Sequence, residues 1–216
     1  MKSRYLRLRD RGGTGESPAG RWRRTLWFGA VAVLGVAVMV NVHEIGHTLA
    51  AWVLGDTTAS YRLFESYPGG GYCIGCNSYD PSALTPSGVA LVSLAGVAAT
   101  QVIAVSVIIG RGVSKSAASR RSMSIVAGVF FFDLVWQVLQ GLVADVNTQT
   151  ALSRVDLADF VFIVSRETTL EPGVAVALVV AVSLVYSAIL AFLISRHTIR
   201  PISRPEVAQS CSTGHR

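Results

Sequence analysis

The sequence predicts an all-α integral membrane protein with about four transmembrane helices. Of its 216 residues, 51% are hydrophobic and only 15% are charged, whereas soluble domains carry about 25% charged residues. The mean hydropathy is +0.48, and four apolar runs are long enough to cross a hydrocarbon core about 30 Å thick. This composition excludes a disordered chain, a collagen-like repeat and a disulfide-rich scaffold.

The apolar runs occupy residues 27–54, 89–109, 125–143 and 173–194. The first run is interrupted only by His43, Glu44 and His47, and the third contains one charge, Asp133. The first run is too long for a signal peptide, and mostly polar residues precede it. The shorter apolar run 160–164 cannot span a bilayer. It therefore predicts a re-entrant segment before the last helix.

Lysine and arginine residues are concentrated in alternate connections between the apolar runs. The segments 1–26, 111–121 and 196–216 contain sixteen of the nineteen, and the connections 55–86 and 144–172 contain the other three. The positive-inside rule therefore predicts four spans with both termini cytoplasmic. We interpret the basic segments as topology signals in contact with lipid headgroups of the bilayer, and no nucleic-acid partner is expected.

The domain organisation expected from this pattern is one membrane domain with short appendages. We expect a disordered basic segment at 1–24, an integral membrane domain at 25–196 and a flexible cytoplasmic tail at 197–216. Cys73 and Cys76 form one C-x-x-C pair in a predicted non-cytoplasmic connection. A local disulfide is favoured there, with free thiols or half of a metal site as the alternatives.

The first apolar run contains a metal-binding motif. Residues 43–47 read HEIGH and match H-E-x-x-H. Residues four apart share one face of a helix, so His43 and His47 can bind one Zn²⁺ ion. Glu44 is then placed to act as general base on a zinc-bound water. Because His and Glu are costly within an apolar span, this spacing favours a metal site over packing residues.

Three segments of the N-terminal half occur in an order that suggests a family. HEIGH is followed by Thr-Leu-Ala-Ala, residues 68–72 read PGGGY, and residues 93–96 read SLAG. Together they resemble the site-2 protease family of intramembrane zinc metalloproteases, as a small, divergent member. Val97 and Thr100 stand where that family has proline and asparagine.

The resemblance implies a zinc metalloendopeptidase that hydrolyses peptide bonds of membrane-embedded or membrane-anchored substrates. It also implies a short β-hairpin or extended segment after the first helix, with which an unfolded substrate strand can pair. Hydrolysis within a membrane needs a polar cavity that admits water. We expect Asn41, Gln137 and Gln140 to contribute to its lining.

The third protein ligand that a catalytic zinc ion usually needs is left open by the sequence. The family supplies it from an Asp-Gly motif, which this chain lacks. We expect Asp159, which opens the short apolar run before the last span, with Asp156 as the nearest alternative. Asp145 and Asp133 are the others. Asp133 matches an asparagine position of the family, so it is also a candidate for orienting water or substrate.

Two other functions fit parts of the same pattern. A catalytically inactive metal-binding membrane protein that captures substrates is the main alternative, because the third family-like segment is only a partial match. A small transporter with a His and Asp proton relay is the other.

Overall fold

The computed structural model describes residues 17–66, 71–143 and 156–196 and contains mainly helices. The elements are α1 (Pro18–Leu54), β1 (Ser60–Ser66), β2 (Tyr72–Ser78), a 3-10 turn (Pro81–Ala83), α2 (Pro86–Val113), α3 (Ala117–Val143), α4 (Asp156–Thr168) and α5 (Pro172–Arg196). Helices α1, α2, α3 and α5 are long and apolar enough to cross a membrane. The chain is therefore a multi-pass membrane protein, and the predicted fold class is confirmed.

Helix α1 begins at a capped N-terminus. The Ser17 hydroxyl accepts a hydrogen bond from the Gly20 amide at 3.2 Å, and Pro18 occupies the first turn, where its missing N–H has no cost. Residues 18–24 are therefore helical, and the disordered segment predicted for 1–24 includes residues that belong to α1. Its first sixteen residues and the predicted tail 197–216 lie outside the described residues.

Helices α1 and α2 cross at close range. A Cβ atom added to Gly46 would lie 2.6 Å from the Ala95 carbonyl oxygen and 2.8 Å from the Ala99 Cβ, so only glycine fits this crossing. Small residues allow membrane helices to approach in this way, because lipid provides no hydrophobic drive for their association. The crossing brings the H-E-x-x-H turn of α1 against α2.

Strands β1 and β2 form an antiparallel hairpin, with Ser60 opposite Ser78 and Ser66 opposite Tyr72. The expectation of a hairpin after the first helix is confirmed, although residues 67–70 lie outside the described part of the chain. A disulfide joins Cys73 to Cys76 within β2.

Gly75 lets β2 lie against α1. Its φ is +66°, and a Cβ atom there would lie 3.3 Å from Val40 Cγ1 and 3.4 Å from Glu44 Cγ. A left-handed φ and a close neighbour both favour glycine at this position. The hairpin is thereby placed directly beside Glu44.

Helix α4 is the segment predicted to be re-entrant. It has thirteen residues and is therefore about 20 Å long, too short to span the bilayer. It buries Leu157, Ala158 and Val161 inside the bundle. It begins at Asp156, three residues before Asp159, which was expected to open this segment. Asp156 is the acid that reaches the two histidines.

Candidate metal centre

Three side chains from α1 and α4 converge on one point. Oδ2 of Asp156 lies 2.8 Å from His43 Nε2 and 3.2 Å from His47 Nε2, and all three potential ligand atoms lie within 4.8 Å of one another. Both histidines are buried, and the Asp156 side chain is 23% exposed. The structure therefore contains a group that could hold a metal ion.

The outer nitrogen of each imidazole faces an acceptor. His43 Nδ1 lies 2.9 Å from Asp133 Oδ2, and His47 Nδ1 lies 2.6 Å from the Val92 carbonyl oxygen. A neutral imidazole carries one proton, and these acceptors draw it to Nδ1. Both Nε2 lone pairs then point at Asp156, which is itself an acceptor when it is ionised.

A divalent cation between the two Nε2 atoms and the Asp156 carboxylate would bind all three acceptors at once. Zinc bonds of about 2.0–2.2 Å in a tetrahedron would place ligand atoms about 3.3 Å apart, which is close to the 3.2 Å between His47 Nε2 and Asp156 Oδ2 and longer than the 2.8 Å between His43 Nε2 and the same oxygen. Protonating both rings would instead bury two positive charges with ring centroids 4.8 Å apart, which is unfavourable in a desolvated site. The donor set of two imidazoles and one carboxylate therefore fits a metal ion.

Gly96 of α2 leaves the space that this group needs. A Cβ atom there would lie 2.4 Å from His47 Nε2 and 2.7 Å from His43 Nε2, closer than any side chain can come. Gly96 belongs to the SLAG segment, but its sequence gives no indication that it faces both donor nitrogens. Close helix packing at that position is visible only in three dimensions.

Asp156 is ionised at neutral pH. Burial raises the pKa of its carboxyl, but when the rings carry protons at Nε2, the hydrogen bonds that His43 and His47 donate to the carboxyl outweigh burial and bring the pKa from 3.8 to about 2. The carboxylate also lies in the first turn of α4, where the helix dipole favours negative charge. Asp156 is therefore available as an anionic ligand.

The structure brings Asp156, the second choice of the sequence analysis, to the two histidines. Asp159, the first choice, lies one turn further along α4 and lines the adjoining cavity. Both acids are in the first turn of α4, and Asp156 is the one whose carboxylate lies within hydrogen-bond distance of both rings. Asp133 faces His43 Nδ1 on the far side of the ring and is not a ligand at Nε2. Asp145 lies outside the described residues.

A cavity of about 540 Å³ opens beside His43 and Asp156 and includes Glu44 in its wall. The Asn77 side-chain amide donates a hydrogen bond to Glu44 Oε2, so β2 orients this carboxylate. Gln137 also lines the cavity, and its buried Oε1 atom has no hydrogen-bond partner among the described residues. The cavity is thus polar around the metal position, as water-dependent chemistry requires.

Two further expectations about the lining differ from the structure. Asn41 instead accepts a hydrogen bond from the Tyr61 hydroxyl and donates one to the Ala37 carbonyl oxygen at 2.6 Å, and Gln140 is not among the cavity-lining residues described. The hairpin and its following loop contribute Asn77 and Tyr79, which the sequence did not single out. Their position depends on how the hairpin folds onto α1, and no residue periodicity reports that.

Tyr79 is a hydrogen-bond donor at the cavity wall. Burial, together with the negative charges of Asp159 and Asp156, raises the pKa of its phenol. The phenol is consequently protonated at neutral pH and can donate to an oxygen atom in the cavity.

The group that could hold a metal ion therefore consists of His43, His47 and Asp156, with Glu44 oriented beside it. No protein-family model, curated protein or solved structure matches this chain.

Proposed function

We propose that this protein is an intramembrane zinc metalloendopeptidase, a small and divergent member of the site-2 protease family. The observation that carries the proposal is the convergence of two imidazole nitrogens and one carboxylate oxygen beside a second, hydrogen-bonded carboxylate, with both imidazoles and the second carboxylate on the membrane-spanning helix α1. The residues are His43, His47 and Asp156 as ligands and Glu44 as the base.

Zinc is the metal that suits this donor set best. Catalytic zinc sites commonly have three nitrogen and oxygen ligands from the protein and one open position; His43, His47 and Asp156 would supply the three ligands, and a cavity adjoins them. When bound, zinc polarises a substrate carbonyl and lowers the pKa of water towards about 7.

Glu44 supplies the proton transfers of the proposed hydrolysis. Its carboxylate accepts a proton from the attacking water, whose oxygen forms the new bond to the scissile carbonyl carbon. As the carbon–nitrogen bond breaks, Glu44 passes that proton to the leaving amine. Asn77 keeps Glu44 pointed into the cavity through its bond to Oε2, so both transfers occur from one orientation.

The surroundings of the cavity support an extended peptide as substrate. Residues of β2, including Gly75 and Asn77, line the cavity beside Glu44, and an extended peptide can pair with the edge of such a strand. A helical substrate must unwind first, because its carbonyl groups are otherwise held in the helix.

An apolar groove supports substrates that arrive through the bilayer. The groove, about 510 Å³ in volume, runs between α1 and α3 and is lined by residues such as Val129 and Phe132. Met39 and Trp136 line both the groove and the metal cavity. A membrane-embedded segment lying in the groove is therefore next to the proposed site of cleavage.

The test compares the wild-type protein with Glu44→Gln, both purified in detergent and loaded with Zn²⁺. We expect each to retain one zinc ion by elemental analysis. We expect the variant to cleave fluorogenic single-span peptides about 10²- to 10⁴-fold more slowly, because the proton acceptor is lost. Glu65→Gln, on an exposed part of the hairpin, is the matched control and should cleave at the wild-type rate.

Two outcomes would contradict the proposal. Undiminished cleavage by Glu44→Gln would exclude Glu44 as the base. A wild-type protein that binds zinc and the peptides but produces no cleavage product would favour the alternative, a metal-binding protein that captures substrates.

A further inference from the structure

We propose that Asp133 is the positioning residue of this metal centre, which fixes the tautomer of His43 so that Nε2 binds the ion. The inference rests on the proposed function for the presence of a metal ion. It assigns a role to a carboxylate that is only 4% exposed in the middle of α3. An acid at such a position is costly in a membrane span and indicates a function.

The contacts of His43 place two carboxylates on opposite sides of one ring. Asp133 Oδ2 lies 2.9 Å from Nδ1, and Asp156 Oδ2 lies 2.8 Å from Nε2. If the ring proton were on Nε2, that nitrogen would have no lone pair for a metal ion. Because Asp133 accepts the proton's hydrogen bond at Nδ1, it selects the tautomer that can bind metal at Nε2.

Thr100 of α2 holds the Asp133 carboxylate in place. Its hydroxyl is fully buried and lies 2.6 Å from Asp133 Oδ2 and 2.8 Å from the Val97 carbonyl oxygen. The bond to the carboxylate is the shorter one and is charge-assisted, so it is the stronger of the two. Three helices thus contribute one relay of Thr100, Asp133 and His43. Thr100 and Asp133 are both positions at which the chain departs from the site-2 protease pattern.

A divalent ion would compensate the buried carboxylates on both sides of the His43 ring. Its two positive charges would match those of Asp156 and Asp133, while Glu44 lies beside them in the cavity wall. Buried charges are tolerated when they are paired and hydrogen-bonded. Asp133 therefore favours a divalent cation and is itself compensated by the ion across the His43 ring.

The experiment measures metal affinity, which does not depend on cleavage. The full chain in detergent is freed of metal and titrated with Co²⁺, whose visible absorption reports its ligand geometry. We expect Asp133→Asn to weaken Co²⁺ binding by about 10- to 100-fold, the usual effect of removing a partner of a metal-bound histidine. We also expect altered absorption bands.

Two controls separate positioning from charge and from folding. Asp159→Asn removes a carboxylate from the wall of the same cavity and should weaken binding less than Asp133→Asn. Thr100→Val removes the hydroxyl and should weaken binding several-fold, whereas Thr100→Ser keeps it and should restore nearly wild-type affinity. If Asp133→Asn does not fold, the comparison of Thr100→Val with Thr100→Ser tests the positioning role of Asp133.

The outcomes distinguish this inference from the proposed function. Wild-type affinity in Asp133→Asn, an equal loss in Asp159→Asn, or equal affinities of Thr100→Val and Thr100→Ser would each overturn the positioning role and leave the metal centre intact. A wild-type chain that binds no Co²⁺ would overturn the metal centre and the proposed function with it.

Discussion

Gly96 provides the space that the Nε2 atoms of His43 and His47 share in the candidate metal centre. It lies on α2, directly opposite the face of α1 that carries His43 and His47. A helix that presented any side chain at this point would push the rings apart or fill the position of the ion. The smallest residue of the centre is therefore as important as its ligands.

The Gly96→Ala variant is expected to lose metal. A methyl group would collide with both Nε2 atoms, and such overpacking costs about 1–3 kcal/mol, or roughly 5- to 150-fold in affinity. Zinc content after purification and Co²⁺ titration measure the loss. Gly110→Ala is the matched control, because it makes the same change in α2 where a Cβ atom meets nothing within 4 Å. Equal metal binding by the two variants would contradict this role for Gly96.

The sequence predicts the two histidines of the candidate metal centre but leaves the choice of the acid open, for a physical reason. His43 and His47 share one helix, so their spacing alone places both rings on one face. Asp156 reaches them from a helix more than a hundred residues away, and a shift of three residues in the start of that helix separates it from Asp159. Long-range packing sets this choice, and no local pattern encodes it.

Among the elements, the hairpin connects the end of α1 to the wall of the metal cavity. Asp56, just after α1, is buried and accepts hydrogen bonds from the amide and hydroxyl of Thr58 at 2.8 and 2.6 Å. Its other oxygen accepts one from the Asp80 amide at 2.6 Å. Asp56 thus joins the two ends of the hairpin segment that presents Asn77 to Glu44.

We expect Asp56→Asn to destabilise the protein at neutral pH. The amide would place an N–H group against the Asp80 amide, and one lost buried hydrogen bond lowers the melting temperature of a chain of this size by about 2–4 °C. Thermal unfolding in detergent, followed by tryptophan fluorescence, measures the shift. Glu65→Gln is the control, because its exposed ion pair with Arg62 contributes little.

The same variant has a defined pH dependence. Hydrogen bonds from Thr58, followed by that from the Asp80 amide, lower the pKa of Asp56 below 3.8. A carboxyl group whose pKa is lowered on folding stabilises the fold at pH values above its unfolded-state pKa, which is about 3.9 for Asp. This stabilisation disappears as the pH falls through the folded-state pKa. The difference between wild type and Asp56→Asn should therefore shrink below about pH 4. A difference that stays constant down to pH 3 would contradict this assignment.

At the scale of the whole molecule, the spans place the candidate metal centre near the middle depth of a hydrocarbon core about 30 Å thick. The hairpin and α4 lie at the same end of the four spans, and His43 is eleven residues from the end of α1 at Leu54, or about 16 Å along the helix. The number and approximate limits of the spans follow from hydropathy, because bilayer thickness fixes their length. The start of α1 does not follow from hydropathy, because the first turns of this helix precede the apolar run.

The orientation of the bundle is the last prediction, and it rests on charge. Residues 111–121, which run from the last turn of α2 into the start of α3, contain four basic residues and no acid, so we expect this connection in the cytoplasm and the metal cavity open to the opposite side. Exposed Ser82 and Ser116 lie at the two ends of the bundle. With Cys211 replaced by serine, Ser82→Cys should react with a membrane-impermeant maleimide on intact cells, whereas Ser116→Cys should react only after permeabilisation. The reverse labelling pattern would show that the cavity opens to the cytoplasm, and that the basic connection does not determine the orientation of this chain.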